Sequence, residues 1–249
     1  MILDKILDKK HKEIVTISCI TERELIRSDR DFLGALQQAK GCAVVAELKA
    51  RSPSEGVICA DYDPVAIAQQ YEQGGAACIS VLTDAPFFGG SFEHLTQVRQ
   101  AVALPLLCKD FILDVKQVRK ARQAGADACL LIVRILTDSQ LQTLYDEICK
   151  WNMTPLVEVF DQADCERAIK LGAKLIGINN RNLDTLAMNT NNSNNLQTLF
   201  PKGTAVLSLS GAKTPVDIQQ ACQQFDGVLV GTALMRAKDR IAFLQTALR

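Results

Sequence analysis

Glu47 and Lys49 stand two residues apart at the end of an apolar run, AVVAELKARSPS (43 to 54), and opposite charges so placed are candidates for an acid and a base. Side chains at i and i+2 of a strand share a face. If Val45 faces a barrel interior, both charges face it too, and a bare interior charge costs several kcal/mol even after relaxation. The pair is therefore expected at an open strand end. The pattern recurs: PLLCKD ends in Lys109 and Asp110, TPLVEV carries Glu158, and KLIGINNR runs into Asn179, Asn180 and Arg181. One such strand could hold a structural ion pair, and any one of these charges could be a solvated loop residue. The set predicts a polar site built from many strand ends, where carboxylates and ammonium groups shift each other's pKa values for general acid and base work. Of the neighbours Lys109 and Asp110, the aspartate is the one expected to be structural.

A different chemistry is written into two later turns. LSLSGA places Ser210 and Gly211 after one apolar run, and LVGTAL places Gly231 and Thr232 after the next, just before a short helix. A lone glycine there would be a turn residue. Two small-residue turns after the last two strands of a barrel predict a phosphate site, where backbone N–H groups and a helix start meet the anion.

The elements that must position these residues alternate. Apolar runs of strand length lie near 43–49, 77–82, 105–109, 128–133, 154–159, 174–179, 204–209 and 227–231. Helical spacing fills the gaps, as at Val65 to Glu72, Val115 to Gln123, Leu141 to Cys149, Ala163 to Leu171 and Val216 to Gln223. Asp63-Pro64 and Thr214-Pro215 read as N-cap and first helical residue. QGGAACISVLTD (73 to 84), QAGADACLLIVR (123 to 134) and KLGAKLIGINNR (170 to 181) repeat one plan, a glycine that ends a helix and a strand that follows it. This alternation predicts an α/β protein, a (β/α)₈ TIM barrel over 41–249 with an N-terminal helical extension over 1–40, the whole forming one domain of 1–249. The NTNNSNN run (189 to 195) reads as a loop leading into the sixth helix, and the loop after Lys49, with Arg51, Ser52, Pro53 and Gly56, as a lid.

Composition narrows the class of function. The chain has 28 basic and 28 acidic residues, a balance that favours neither nucleic acid nor an anionic membrane. Hydrophobic residues make up 48%, yet no apolar run approaches the ~20 residues that span a bilayer, so a cytoplasmic protein is expected. Nine cysteines are scattered through apolar runs and never spaced as CxxC, which predicts small hydrophobes in a reducing compartment rather than metal ligands or disulfides.

The motifs resemble those of indole-3-glycerol-phosphate synthases: ELKARSPSEG (47 to 56), SVLTDAPFFGGSFEHL (80 to 95), LLCKDFILD (106 to 114), ADACLLIVRIL (126 to 136), LVEVF (156 to 160), IGINNRNLDT (176 to 185), SLSGA (208 to 212) and VGTALMR (230 to 236). ILDKILDKKHKEI and RDFLGAL look like that family's amino-terminal extension. The resemblance implies a carbon–carbon lyase of tryptophan biosynthesis that closes, decarboxylates and dehydrates 1-(2-carboxyphenylamino)-1-deoxyribulose 5-phosphate, with no cofactor and no metal. It implies catalytic roles for Glu47, Lys49, Lys109, Glu158 and Asn179, with Lys109 as acid of the ring closure and the remaining acid and base roles open. Ser52 and Arg181 would bind or orient the substrate; Phe88, Phe111, Leu130 and Leu183 would line the anthranilate ring; Ser210, Gly211, Gly231 and Thr232 would hold the phosphate. The only partner implied is this phosphorylated small molecule, and a monomer is the simplest expectation.

One departure stands out. The family usually reads Ser-Glu-Ser-Gly where this chain reads Ser208-Leu209-Ser210-Gly211, so an inward carboxylate is replaced by an apolar side chain. Activity is expected to be reduced or altered rather than abolished. The rivals are a barrel that only binds a phosphorylated metabolite, which Leu209 alone supports, and another phosphate-binding barrel enzyme such as phosphoribosylanthranilate isomerase, against which the Glu-x-Lys and Lys-Asp-Phe pairing argues.

Overall fold

In the computed structural model, which describes residues 2–39, 41, 43–189 and 191–249, the eight apolar runs become the strands of one closed barrel. They are β1 (Ala43–Leu48), β2 (Cys78–Leu82), β3 (Leu106–Lys109), β4 (Ala128–Ile132), β5 (Thr154–Val159), β6 (Leu175–Asn179), β7 (Ala205–Leu209) and β8 (Gly227–Val230). Each pairs in parallel with its sequence neighbours, and β8 closes the ring on β1 through Ala43 opposite Gly227.

Alternation along each strand explains why these runs carry so few polar residues. Val45, Leu107, Leu130, Leu156, Leu207 and Leu229 point inward and fill the barrel, while Val44, Ala46, Ile79, Val81, Val157 and Ile176 point outward under the helices. Both faces are buried, so a polar side chain fits only at the ends.

The helix boundaries follow from local chemistry. Asp63 Oδ1 accepts from the N–H groups of Val65 and Ala66, both at 3.0 Å, and Pro64 opens the helix Pro64–Gly74. Thr214 and Asp217 form a capping box on the helix Pro215–Cys222. The repeated glycines Gly75, Gly125 and Gly172 have φ of 92°, 103° and 75°, the left-handed turn that ends a helix and starts the next strand.

Residues before the barrel form the helices Ile2–Thr16 and Phe32–Gln38, joined through a short 3₁₀ turn at Glu22–Glu24. The first is amphipathic and buries Leu3, Ile6, Lys10 and Ile14. Two expectations need correction. The polar run 189–195 is not all loop: a helix starts inside it at Asn192, because Asn192 and Ser193 turn their side chains inward to bond strand ends. Among the described cysteines, seven are free, four of them buried as expected, whereas Cys222 is disulfide-bonded.

Candidate active site

The carboxyl ends of the strands open into a single cavity of about 480 Å³. Glu47, Lys49, Lys109, Glu158 and Asn179 all line it, as do Ser52, Phe88, Phe111, Leu130, Arg181, Leu183, Ser210, Gly211, Gly231 and Thr232. The barrel thus brings together every residue named from sequence as a catalytic or substrate-binding candidate.

Two ion pairs face each other across this cavity. Lys49 Nζ donates to Glu47 Oε1 at 2.8 Å, and Gly231 makes room for the pair. A Cβ at position 231 would lie 2.5 Å from Glu47 Oε1 and 3.0 Å from Lys49 Nζ, so a side chain there would push the ends of this pair out of place. On the other side, Lys109 Nζ lies 3.5 Å from Glu158 Oε2. Asn179 Nδ2 donates to the second oxygen, Glu158 Oε1, at 2.9 Å, and its own Oδ1 accepts from the Arg181 N–H at 2.9 Å. The carboxylates are deep, Glu47 at 5% and Glu158 at 3% exposure, while the lysine side chains are 14% and 15% exposed. Glu158 Oε2 is buried with no hydrogen-bond partner among the described residues, so it retains a free acceptor pointing at Lys109.

Burial alone would raise the Glu47 pKa. The nearby ammonium groups of Lys49 and Lys109, with the Lys49 hydrogen bond, outweigh that effect and hold the carboxyl below its ordinary range. Glu47 is therefore an anion at neutral pH, suited to accept a proton.

The adjacent Asp110 serves another purpose, as expected. It turns away from Lys109 and meets Lys10 of the helix Ile2–Thr16 at 2.8 Å, while Thr83 Oγ1 and the Phe111 N–H donate to its two oxygens at 2.6 and 2.7 Å. Lys10 also lies 3.1 Å from Asp84, whose other oxygen caps the short helix Ala85–Phe88 by accepting from the Phe87 N–H. This cluster seats the N-terminal helix, and through Phe87 and Phe111 it fixes the aromatic wall. Phe88 and Phe111 have ring centroids 6.2 Å apart. Ile2, Leu3 and Ile6 complete that wall. Sequence reasoning missed these three as site residues, although their helical spacing alongside Lys10 was visible.

The turn after β7 is held by a polar lattice that was also missed. Asn180 Nδ2 donates to Ser208 Oγ at 3.1 Å and to the Ser210 carbonyl at 3.0 Å, and Ser193 Oγ donates to Asn180 Oδ1 at 2.9 Å. Ser210 and Gly211 follow at φ of 65° and 108°, two successive left-handed residues, of which the serine is strained. Its signal in the sequence was the Asn-rich run itself.

Leu209 faces the barrel interior at 1% exposure, opposite Asn179 on one side and Leu229 on the other. Its side chain packs over Gly177, where a Cβ would meet Leu209 Cδ1 at 2.5 Å. It is a core residue capping the apolar layers beneath the polar site.

The family model for indole-3-glycerol phosphate synthase matches residues 3–247. The chain belongs to the indole-3-glycerol phosphate synthase family. An indole-3-glycerol phosphate synthase from Crocosphaera subtropica is 46% identical over 96% of this chain and 86% of its own length. One from Polaromonas sp. is 44% identical over 96% of this chain and 94% of its own. Among solved structures, a 3-hexulose-6-phosphate synthase superposes with a TM-score of 0.65 at 16% identity, over 83% of this chain and 98% of that one. Thiamine phosphate pyrophosphorylase from Pyrococcus furiosus gives 0.61 at 17% identity, over 84% and 94%. At such identities these two show the shared barrel fold alone. Membership of the synthase family rests on the sequence match, which spans the extension as well as the barrel.

Proposed function

We propose that this chain carries out the reaction its family is named for, closing 1-(2-carboxyphenylamino)-1-deoxyribulose 5-phosphate to indole-3-glycerol phosphate with loss of carbon dioxide and water. The observation that carries this reading is the convergence of both ion pairs, an apolar wall and the Gly211 and Gly231 turns on one cavity. A substrate with an aromatic ring at one end, a ketone in the middle and a phosphate at the other needs those three zones in that order.

The anthranilate ring lies against Phe88, Phe111, Leu130 and Leu183, and the phosphate meets the turns at Ser210–Gly211 and Gly231–Thr232. The ring carbon that bears the carboxylate attacks the ketone carbon. Lys109 gives its proton to the ketone oxygen, which would otherwise develop as an alkoxide in a dry site. Breaking the bond to the carboxylate returns its electron pair to the ring and releases carbon dioxide. Dehydration then needs an acid for the departing hydroxyl and a base for the proton that leaves as the pyrrole ring forms. Glu47, kept ionised by two lysines, is the base, and Lys49 at 2.8 Å is placed to act as the acid beside it. Glu158 and Asn179 orient Lys109 and hold the ribulose hydroxyls, and Arg181 and Ser52 close the rim. Each step balances without net electron transfer.

We take a single protomer as the working unit and place the reaction in the cytoplasm. No described helix is long and apolar enough to cross a membrane. The test is to incubate purified protein with the ribulosamine phosphate and follow indole fluorescence. Turnover is expected with this substrate and none with the phosphoribosylamine that an isomerase would take. Binding of the ribulosamine phosphate without product would contradict the proposal and leave a binding protein.

A further inference from the structure

The segment after Lys49 is a small hairpin laid across the mouth of the cavity. Its arms, Arg51–Ser52 and Gly56–Val57, pair antiparallel, and its tip is Pro53-Ser54-Glu55. It is fixed at both sides by side chains. Arg51 Nη2 donates to the carbonyls of Ala85 and Pro86 at 2.9 and 2.8 Å, tying one edge to the short helix Ala85–Phe88. At the tip, Glu55 Oε2 lies 2.9 Å from Arg236 Nη1, and Thr232 Oγ1 donates to Glu55 Oε1 at 3.5 Å.

Thr232 and Arg236 are the first and last residues of the short helix after Gly231, and both line the end of the cavity read above as the phosphate end. A carboxylate of the protein itself therefore rests against Thr232, read above as meeting the phosphate, and against Arg236, the cation of the same short helix. Two anions cannot share them without repulsion, and an incoming dianion carries more charge than Glu55. The Glu55–Arg236 pair is also half in solvent, at 24% and 54% side-chain exposure, so it is weak enough to be displaced, unlike the sealed Lys10 cluster. The Arg51 anchor makes no contact with that helix and would survive the exchange.

We infer that Glu55 is an internal stand-in for the substrate phosphate, a latch that holds the hairpin tip on the phosphate end of the cavity until the ligand's phosphate displaces it. The inference rests on the assignment of the phosphate to the Gly211 and Gly231 turns. In consequence the hairpin tip is released by phosphate and only by a group anionic enough to compete, while Arg51 remains as the pivot. A ligand lacking the phosphate meets a closed latch, which makes Glu55 a specificity-determining residue.

The experiment titrates inorganic phosphate into wild-type, Glu55→Gln and Lys213→Glu protein by calorimetry, and follows amide hydrogen exchange of residues 51–58 in each. Lys213 is exposed on the same rim and is the control for where phosphate binds. Glu55→Gln should bind phosphate about two- to fivefold more tightly, the scale of an exposed ion pair. Its hairpin amides should exchange without ligand as fast as phosphate makes them exchange in wild type, and Lys213→Glu should weaken phosphate. If Lys213→Glu weakens phosphate but Glu55→Gln leaves both affinity and exchange unchanged, the latch is wrong and the phosphate site stands. Should neither substitution alter phosphate binding, or none bind, the phosphate assignment itself fails and the latch with it. Glu55→Asp keeps the charge and shortens the reach; hairpin exchange as slow as in wild type there would show a field effect rather than a contact and overturn the latch.

Discussion

Lys109 and Asp110 are neighbours in the chain, yet they belong to two electrostatic regions built on different principles. Asp110 joins Lys10, Asp84 and Glu13 in a sealed cluster in which Lys10 is 1% exposed and meets three carboxylates within 3.1 Å. Burial would lower the Lys10 pKa, but the carboxylates, Asp110 foremost, reverse it and hold the ammonium above its ordinary value. Lys109 reaches the other way, into the cavity, where Glu158 stands off at 3.5 Å and keeps an acceptor oxygen with no hydrogen-bond partner among the described residues. The residue types are the same. What differs is whether the hydrogen-bonding capacity is spent inside the protein or left facing a ligand, and that difference separates a group that seats a helix from one that can pass a proton.

Breaking each region in turn should give opposite outcomes. Lys109→Ala should lower kcat by about 10²- to 10⁴-fold, the usual worth of a positioned acid, while its urea midpoint stays near wild type. A loss of stability in place of activity would merge the two regions. Lys10→Met should do the reverse and cost about 3–5 kcal/mol in urea unfolding, because two buried carboxylates lose their shared cation. A change under 1 kcal/mol would show the cluster to be incidental.

A finer comparison concerns charge balance at Glu47. Its folded pKa is depressed, so it adds stability above its unfolded value, and that contribution fades as pH falls through the folded one. Lys49→Met removes the leading opposing charge and leaves burial dominant. The acidic limb of kcat/KM should then move to higher pH, while the loss of stability that Glu47 contributes as pH falls should shrink or vanish; an unmoved limb would take the base role away from Glu47. The smallest effect is expected at Leu209, which is packed in the apolar layers below the site. Leu209→Glu should change kcat/KM by less than tenfold, under about 1.4 kcal/mol of transition-state stabilisation. A larger gain would mean that a third carboxylate belongs in the open region.

What the sequence disclosed, and what it hid, divides along the same line. Glu47, Lys49, Lys109, Glu158 and Asn179 were legible because parallel strands with two buried faces leave polar residues nowhere but the ends, and a barrel sends all ends to one rim. The capped helices at Asp63 and Thr214 were legible for local reasons. Lys10 was not, since its partners lie some seventy and a hundred residues away and an amphipathic helix normally turns a lysine to water. Glu55 and Asn192 were hidden likewise: their contacts with Arg236 and with the ends of β5 and β6 exist only after the barrel has closed. The disulfide of Cys222 left no spacing signal at all.

The most direct test of the open region is a crystal structure with indole-3-glycerol phosphate bound. The account predicts the phosphate on the Gly211 and Gly231 turns, the indole ring against Phe88 and Phe111, and both lysines within hydrogen-bond reach of the ligand or its bridging waters. A ligand bound elsewhere, or with its ring at the glycine turns and its phosphate toward Phe111, would contradict it.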